Sequence, residues 1–269
     1  MTNTVQQTFG TVQSTQCGNQ QQVQQLNVLS WNCNGGDKNA LDDFILAHQP
    51  DLVILQECNR QWYSSSQPTG YAGQTLSERH QWNFPNGILE SGRGSFYCVL
   101  YKQRFRVVQG LHLLDYRHQN GDPNYPSIIT VPNDVYLARS LSFAARIPAM
   151  MKLQDTNSPL TITLFNWHAH TQQDGVQAKS FQYLEYSVEF RRAIGEAGGN
   201  DLVILAGDLN NTQTTLGGLT GISRNFDHIF ANSGALLYNG QMETDRQGLI
   251  TSSGDHTAVG ALIEYDLSG

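Results

Sequence analysis

Six short polar motifs each end an apolar run: Leu29-Ser30-Trp31-Asn32, Leu55-Gln56-Glu57, Asn166-Trp167-His168, Gly207-Asp208-Leu209-Asn210, Phe226-Asp227-His228 and Gly254-Asp255-His256. Their side chains are amides, carboxylates and imidazoles. That set can hold a hard divalent cation and activate water. Mg²⁺ takes oxygen ligands and keeps several waters, so one or two carboxylates with an amide are enough. Hydrolysis of a phosphate ester needs a water deprotonated and aimed, and charge on the phosphoryl and leaving oxygens offset. An imidazole can move the proton, or bind the phosphate when charged. Taken singly, each motif is ordinary, since Asp-x-Asn is a common turn or helix cap and an acid often ends a strand. Six in one chain, all at strand ends, are not ordinary.

The elements that must position these residues are legible in outline. Leu26–Trp31 reads as a strand. Asp37 can cap a helix on which Leu41, Phe44, Ile45 and His48 share a face, and Pro50 ends it. Asp51–Gln56 is a continuous apolar strand buried on both faces. Strand, helix and strand make a βαβ unit, so Asn32 and Glu57 should meet at one sheet edge, where Asp255 could complete a cation site. Residues 58–94 read mostly as loop, Phe96–Tyr101 as a strand, Arg106–Leu114 as one or two strands, and Tyr116–Pro132 as a long loop. Strands are expected at Leu137–Ile147, Leu160–Trp167, Asp201–Ala206, Asn225–Phe230 and Ala258–Tyr265, and an amphipathic helix at Val176–Ile194 with Phe181, Leu184 and Val188 on one face. Asp208 and Asn210 stand two apart, so strand alternation should point both the same way. Residues 1–25 are Gln- and Thr-rich and read as a flexible arm; 26–269 read as one catalytic domain. The fold class expected is α/β: a four-layer sandwich of two mainly antiparallel mixed sheets flanked by helices.

In order and kind, the motifs resemble the endonuclease/exonuclease/phosphatase superfamily of DNase I-like enzymes. The resemblance spans residues 26–265 and implies roles. Asn32, Glu57 and Asp255 would be metal residues, with Mg²⁺ expected and Mn²⁺ or Ca²⁺ as alternatives. His168 would contact the scissile phosphate. Asp208 and Asn210 would orient nucleophile and phosphate, Asp227 would orient the last histidine, and His256 is that histidine. Asn166-Trp167-His168-Ala169-His170, followed by Asp174-Gly175, is similar to the B subunit of cytolethal distending toxin, and Ala138-Arg139-Ser140 falls near the place of its phosphate-binding arginine. The implied function is Mg²⁺-dependent hydrolysis of DNA, with a phosphoinositide or other phospholipid as the alternative substrate. A toxin-type effector would bring delivery or binding subunits. No acidic partner for His168 stands in Gly94-Ser95-Phe96-Tyr97, leaving Glu90 as the candidate unless the ring is held differently. His170 is open to share the role of His168. His228 is left out, because a histidine in that setting more often packs or caps.

Composition narrows the classes. A net charge of −7 argues weakly against a general polyanion binder. Residues 79–152, however, carry nine Lys or Arg and four acids, a net +5 that leaves −12 for the rest. A basic middle beside acidic ligands suits a phosphate-bearing substrate and is expected to wall the phosphate backbone, with Arg139 nearest the scissile group. Cys17, Cys33, Cys58 and Cys98 are too few for a disulfide scaffold, though Cys33 and Cys58 should end on the same sheet edge. No apolar run is long enough for a transmembrane helix. The start lacks a basic-then-apolar leader, so location stays open between a secreted or injected effector and the cytoplasm.

Overall fold

A computed structural model describes residues 23–34, 36–59, 62–63, 66–78, 95–114, 148–169, 181, 184–185, 187–233, 235–239, 242 and 256–266. Two sheets form the body. The first has six strands, in the order β12 (Ala235–Tyr238), β13 (Val259–Asp266), β1 (Val23–Asn32), β2 (Leu52–Asn59), β4 (Ser95–Lys102) and β3 (Tyr71–Ser77). The second has seven, in the order β5 (Phe105–Leu113), β6 (Ala149–Asp155), β7 (Thr161–Asn166), β8 (Asp201–Asp208), β11 (Asp227–Ala231), β10 (Leu219–Arg224) and β9 (Thr215–Leu216). Among the described residues, β1–β2 and β7–β8 pair in parallel and the other pairs are antiparallel.

Three apolar layers hold the sandwich. Leu26, Val28, Ile54 and Val99 of the first sheet meet Leu153, Ile162, Leu164 and Ile204 of the second in the central core. Outside the first sheet, helix α1 (Lys38–His48) buries Leu41, Phe44 and Ile45 over Leu29, Val53 and Leu55. Asp37 caps α1 by accepting from the Asn39 N–H, and Gln49, at φ 49°, closes it by donating to the Ile45 carbonyl. Outside the second sheet, Phe190 of helix α2 (Val188–Gly195) packs with Phe165, Val203 and Leu205. The architecture is the four-layer α/β sandwich expected.

Several local expectations need correcting. β1 begins at Val23, three residues inside the expected arm, because Val23 to Leu26 pair with Ile263 to Asp266. Within residues 58–94, expected mostly as loop, the described part includes the strand β3, which pairs along β4 from Tyr71↔Lys102 to Ser77↔Phe96. No expected strand covers β6, β9, β10 or β12. The expected helix Val176–Ile194 is not continuous. Ser187 has ψ 135°, outside the helical range, and its hydroxyl accepts from Phe190 N–H to start α2 afresh. Leu137–Ile147 lies outside the described residues.

Two chain crossings aim the polar stops at one end. β1 and β2 run in parallel with Asn32 opposite Gln56, and β7 and β8 run in parallel with Asn166 opposite Ala206. β1 and β2 lie over β8 and β7 across the core. The four carboxyl-terminal strand ends therefore crowd together. Cys33 and Cys58 are neighbours there as expected, free and buried, with Sγ atoms 3.2 Å apart.

Candidate active site

Asp208 is the hub. Its Oδ2 accepts from Asn32 Nδ2 at 3.0 Å and lies 3.4 Å from His168 Nε2 and 3.5 Å from His256 Nδ1. Its Oδ1 accepts the Asn210 N–H at 3.0 Å. Two imidazoles from different parts of the chain thus flank one buried carboxylate. Gly207 permits this approach. At φ 148° it lies against the Trp167 backbone, where an added Cβ would fall 1.8 Å from the Trp167 carbonyl oxygen. The Trp167 N–H donates to Ala206 and the Ala169 N–H to Asp208, so the two strand ends stay zipped past their last ladder residues.

His168 is buried between the sheets. Its Nδ1 faces Glu78 Oε2 at 3.2 Å and Glu57 Oε1 at 3.4 Å, and its backbone N–H donates to the Tyr97 hydroxyl at 3.1 Å. Glu78 is the acidic partner that the sequence did not reveal; Glu90 lies outside the described residues. Its carboxylate is almost fully buried and also accepts the Glu57 N–H at 2.6 Å. The one available signal was a seventh polar stop, at the end of the Tyr71–Ser77 strand. It is obscured by the Gly- and Pro-punctuated stretch around it.

His256 Nδ1 lies 3.6 Å from Asp227 Oδ2, an ion-pair distance, and its Nε2 lies 3.5 Å from Asn32 Nδ2. Burial pushes the Asp227 carboxyl up to about 6, against the lowering pull of His256. Partial burial would lower His256, but Asp227 and the Asp208 charge outweigh it and raise the imidazole. His228 does pack: it is fully buried, with Nε2 at 2.7 Å from the Asn211 carbonyl and its ring stacked on Phe230, and burial lowers its pKa.

Asn210 departs from the expected geometry. It lies past the strand at φ 52°, so the period-two argument does not reach it. It joins the site through its N–H on Asp208, while its Nδ2 donates to the Ala169 carbonyl at 2.9 Å. Asp255, Arg139 and His170 lie outside the described residues. The expected basic wall is corrected in part. Lys102 and Arg104 pair with Asp51 at the opposite end of β2 from Glu57, and Arg104 also reaches Asp155. Arg106 bonds Gln154 near that same end, and Lys152 stands mid-strand on β6 on the outer face, beside Glu189 and Arg192. These four cations therefore cannot line the site.

A two-sheet sandwich with paired imidazoles and carboxylates at one end defines a hydrolase of the DNase I-like fold. The chain belongs to the Endonuclease/Exonuclease/phosphatase family, whose model matches residues 29–256. Members act on phosphodiesters or phosphate esters and generally use divalent metal ions. No curated protein matches the sequence. Among solved structures, a family member from Bacteroides thetaiotaomicron superposes with TM-score 0.59 at 14% identity, covering 93% of this chain and 98% of that one. TDP2 from C. elegans superposes at 0.55 with 15% identity, covering 89% and 75%. A mannosyl-6-phosphatase of B. thetaiotaomicron superposes at 0.56 with 15% identity, covering 88% and 99%. Similarity at this level establishes the fold.

Proposed function

We propose that the protein is a divalent-cation-dependent phosphodiesterase that cleaves DNA in the manner of DNase I. The observation that carries this reading is the meeting of His168 and His256 on Asp208, at 3.4 and 3.5 Å. Four carboxylates, Glu57, Glu78, Asp208 and Asp227, converge on two rings, and Asp227 Oδ1 is buried without a hydrogen-bond partner. That excess of negative charge fits a hard cation. Mg²⁺ needs only one or two carboxylates beside an amide and water.

Glu57 and Asn32, with Asp255, would hold Mg²⁺, or Mn²⁺ or Ca²⁺ in its place. Bound there, the cation would offset charge on the phosphoryl oxygens. Asp208, fixed by the Asn32 amide and the Asn210 N–H, accepts the proton of the attacking water and can pass it to His168 Nε2. Glu78 holds that ring from the opposite side. His256, whose charged form Asp227 and Asp208 favour, offsets charge on the phosphoryl group when protonated, and Asn210 and Arg139 bind its oxygens. The resemblance over residues 166–170 and at Arg139 is all that supports a genotoxin-type effector with delivery subunits.

A small phosphorylated headgroup, such as a phosphoinositide, is the second reading. It is favoured by the distant placement of Lys102, Arg104, Arg106 and Lys152, since a headgroup needs no long basic track. The test is nicking of supercoiled plasmid in Mg²⁺ and in EDTA, beside phosphate release from phosphoinositide vesicles. Mg²⁺-dependent nicking that Glu57→Gln abolishes is expected. Phosphate release without nicking would replace DNA by the lipid, and nicking unchanged in Glu57→Gln would remove Glu57 from the metal site.

A further inference from the structure

At the site end of the interface between the sheets, two fully buried amides cross it. Gln56 of β2 donates from Nε2 to Asn166 Oδ1 at 2.9 Å. Asn166 of β7 donates from Nδ2 to the Leu55 carbonyl at 2.9 Å and to the Cys98 carbonyl at 3.3 Å. Both acceptors belong to the other sheet. They are also ladder partners, Leu55↔Cys98, and they stand where the β2–β4 ladder fails. Between Leu55 and Cys58 the register shifts, so Gln56 and Glu57 oppose Tyr97 alone. Glu57 takes φ 53°, a backbone state that a non-glycine residue adopts at a cost. A bulge of this kind interrupts pairing and re-aims a side chain.

We propose that Asn166, with Gln56 behind it, is a positioning residue that holds this bulge and thereby aims Glu57 at His168. The inference rests on the role proposed above for Glu57, and deepens it. The carbonyls of Leu55 and Cys98 belong to the last regular rung before the bulge, inside the sandwich. The Asn166 amide donates to both from the opposite sheet and so clamps that rung. Without it the regular ladder would recover pairing by closing the bulge, and the period-two alternation would turn Glu57 away from its present direction. Three further contacts tie the same few residues together. The Tyr97 hydroxyl, from the residue opposite the bulge, accepts the His168 N–H at 3.1 Å. Glu78 accepts the bulged Glu57 N–H and also faces His168 Nδ1. The Glu57 carboxylate lies 3.4 Å from that nitrogen. Asn166 precedes His168 by two residues and Gln56 precedes Glu57 by one. The amide pair therefore sets the distance between the two sheets at the point where both chains deliver a reacting side chain. A core residue that merely filled space would not need two donors matched to two carbonyls of the other sheet.

The test separates aiming from stability. Site-resolved hydrogen exchange of full-length Asn166→Ala should show the Glu57 and Cys58 amides exchanging at least about tenfold faster than in the parent, with Val53 and Leu100 unchanged. Turnover on whichever phosphate ester the parent hydrolyses should fall by about 10–100-fold with KM for substrate nearly constant, the size expected when the support of a ligand is removed. Gln56→Leu, close in volume, should show the same pattern more weakly, and Asn166→Ser, which keeps a hydroxyl donor, should recover part of both signals. Should Asn166→Ala fail to fold, the exchange comparison between Asn166→Ser and the parent decides. Uniform acceleration of all β2 and β4 amides, or unchanged protection at Glu57, would overturn the positioning role. A parent that hydrolyses no phosphate ester would count against the proposed function, while the exchange pattern would still decide the role of Asn166.

Discussion

At the scale of the residue, each site histidine is held by a carboxylate from another part of the chain: His168 by Glu78 and His256 by Asp227. Alanine at either histidine should lower turnover by about 10²-fold or more, since proton transfer and charge stabilisation each contribute on that scale. The double variant should lose far less than the product, because both rings act through Asp208. Glu78→Gln should cost about 10–100-fold. Single-turnover kinetics measure all four, and near-parental turnover in His168→Ala would pass the role to another group such as His170. The pH profile follows from the second pair. Asp227, pushed up to about 6, should give an acid limb near that pH as it protonates and releases His256. Asp227→Asn removes the group that does most to raise His256, so its imidazole should titrate lower and any alkaline limb should move to lower pH. For stability the sign is the same as for any raised histidine. The His256 contribution is complete below its unfolded value and is lost as pH rises through the folded one. An NMR titration of the His256 ring in both proteins reads the shift directly.

At the scale of the element, irregular backbone does the positioning. β2 and β8 are regular, buried strands until their last residues. There Glu57 bulges and Gly207 turns against Trp167. Gly207→Ala should destabilise the fold by about 1–3 kcal/mol, because the Trp167 carbonyl must give way to the new methyl. It should also separate Asp208 from His168 and lower turnover beyond what the residual fraction folded explains. Urea unfolding beside activity at low denaturant distinguishes the two effects; full activity in the folded fraction would show that the close approach serves packing alone. The bulge was not legible in the Leu55-Gln56-Glu57 run, since a one-residue insertion leaves no compositional mark when its neighbours stay apolar. The break before α2 was equally hidden. Phe181, Leu184 and Val188 continue one helical stripe across Ser187, and periodicity cannot see a single residue leaving the helix to cap the next one.

At the scale of the molecule, charge is segregated. Lys102 and Arg104 neutralise Asp51 and Asp155 at the end remote from the site. Replacing both by alanine should leave the nicking of the folded protein and its salt dependence unchanged but cost about 1–3 kcal/mol or more of stability, because Asp51 and Asp155 stay buried without their cations. Arg139→Ala should instead weaken DNA binding for all sequences alike and reduce the salt slope by about one unit. Cleavage measured across a salt series checks both. A slope unchanged in Arg139→Ala, with phosphoinositide turnover in the parent, would move the substrate to the lipid. A slope flattened by Lys102→Ala and Arg104→Ala would put the DNA track at the wrong end of the sandwich for this site.

The sequence by itself determined the strands that end in polar residues and hence nearly every candidate residue on β1, β2, β7, β8 and β11. It did so because burial of a strand is a local pattern: an apolar run says which residues lie inside, and its end says where water and chemistry begin. The first strand–helix–strand unit followed from period and caps for the same reason. Tertiary structure alone decided the partners. Glu78 meets His168 and Asn166 meets the Leu55 carbonyl across two sheets, and such pairings depend on register, bulges and the stacking of sheets, none of which is encoded within a few residues of either partner. The basic segment makes the same point from the other side. Its charge was countable, but its direction was set by antiparallel strands that carry Lys102 and Arg104 away from the end where Asp208 gathers the histidines.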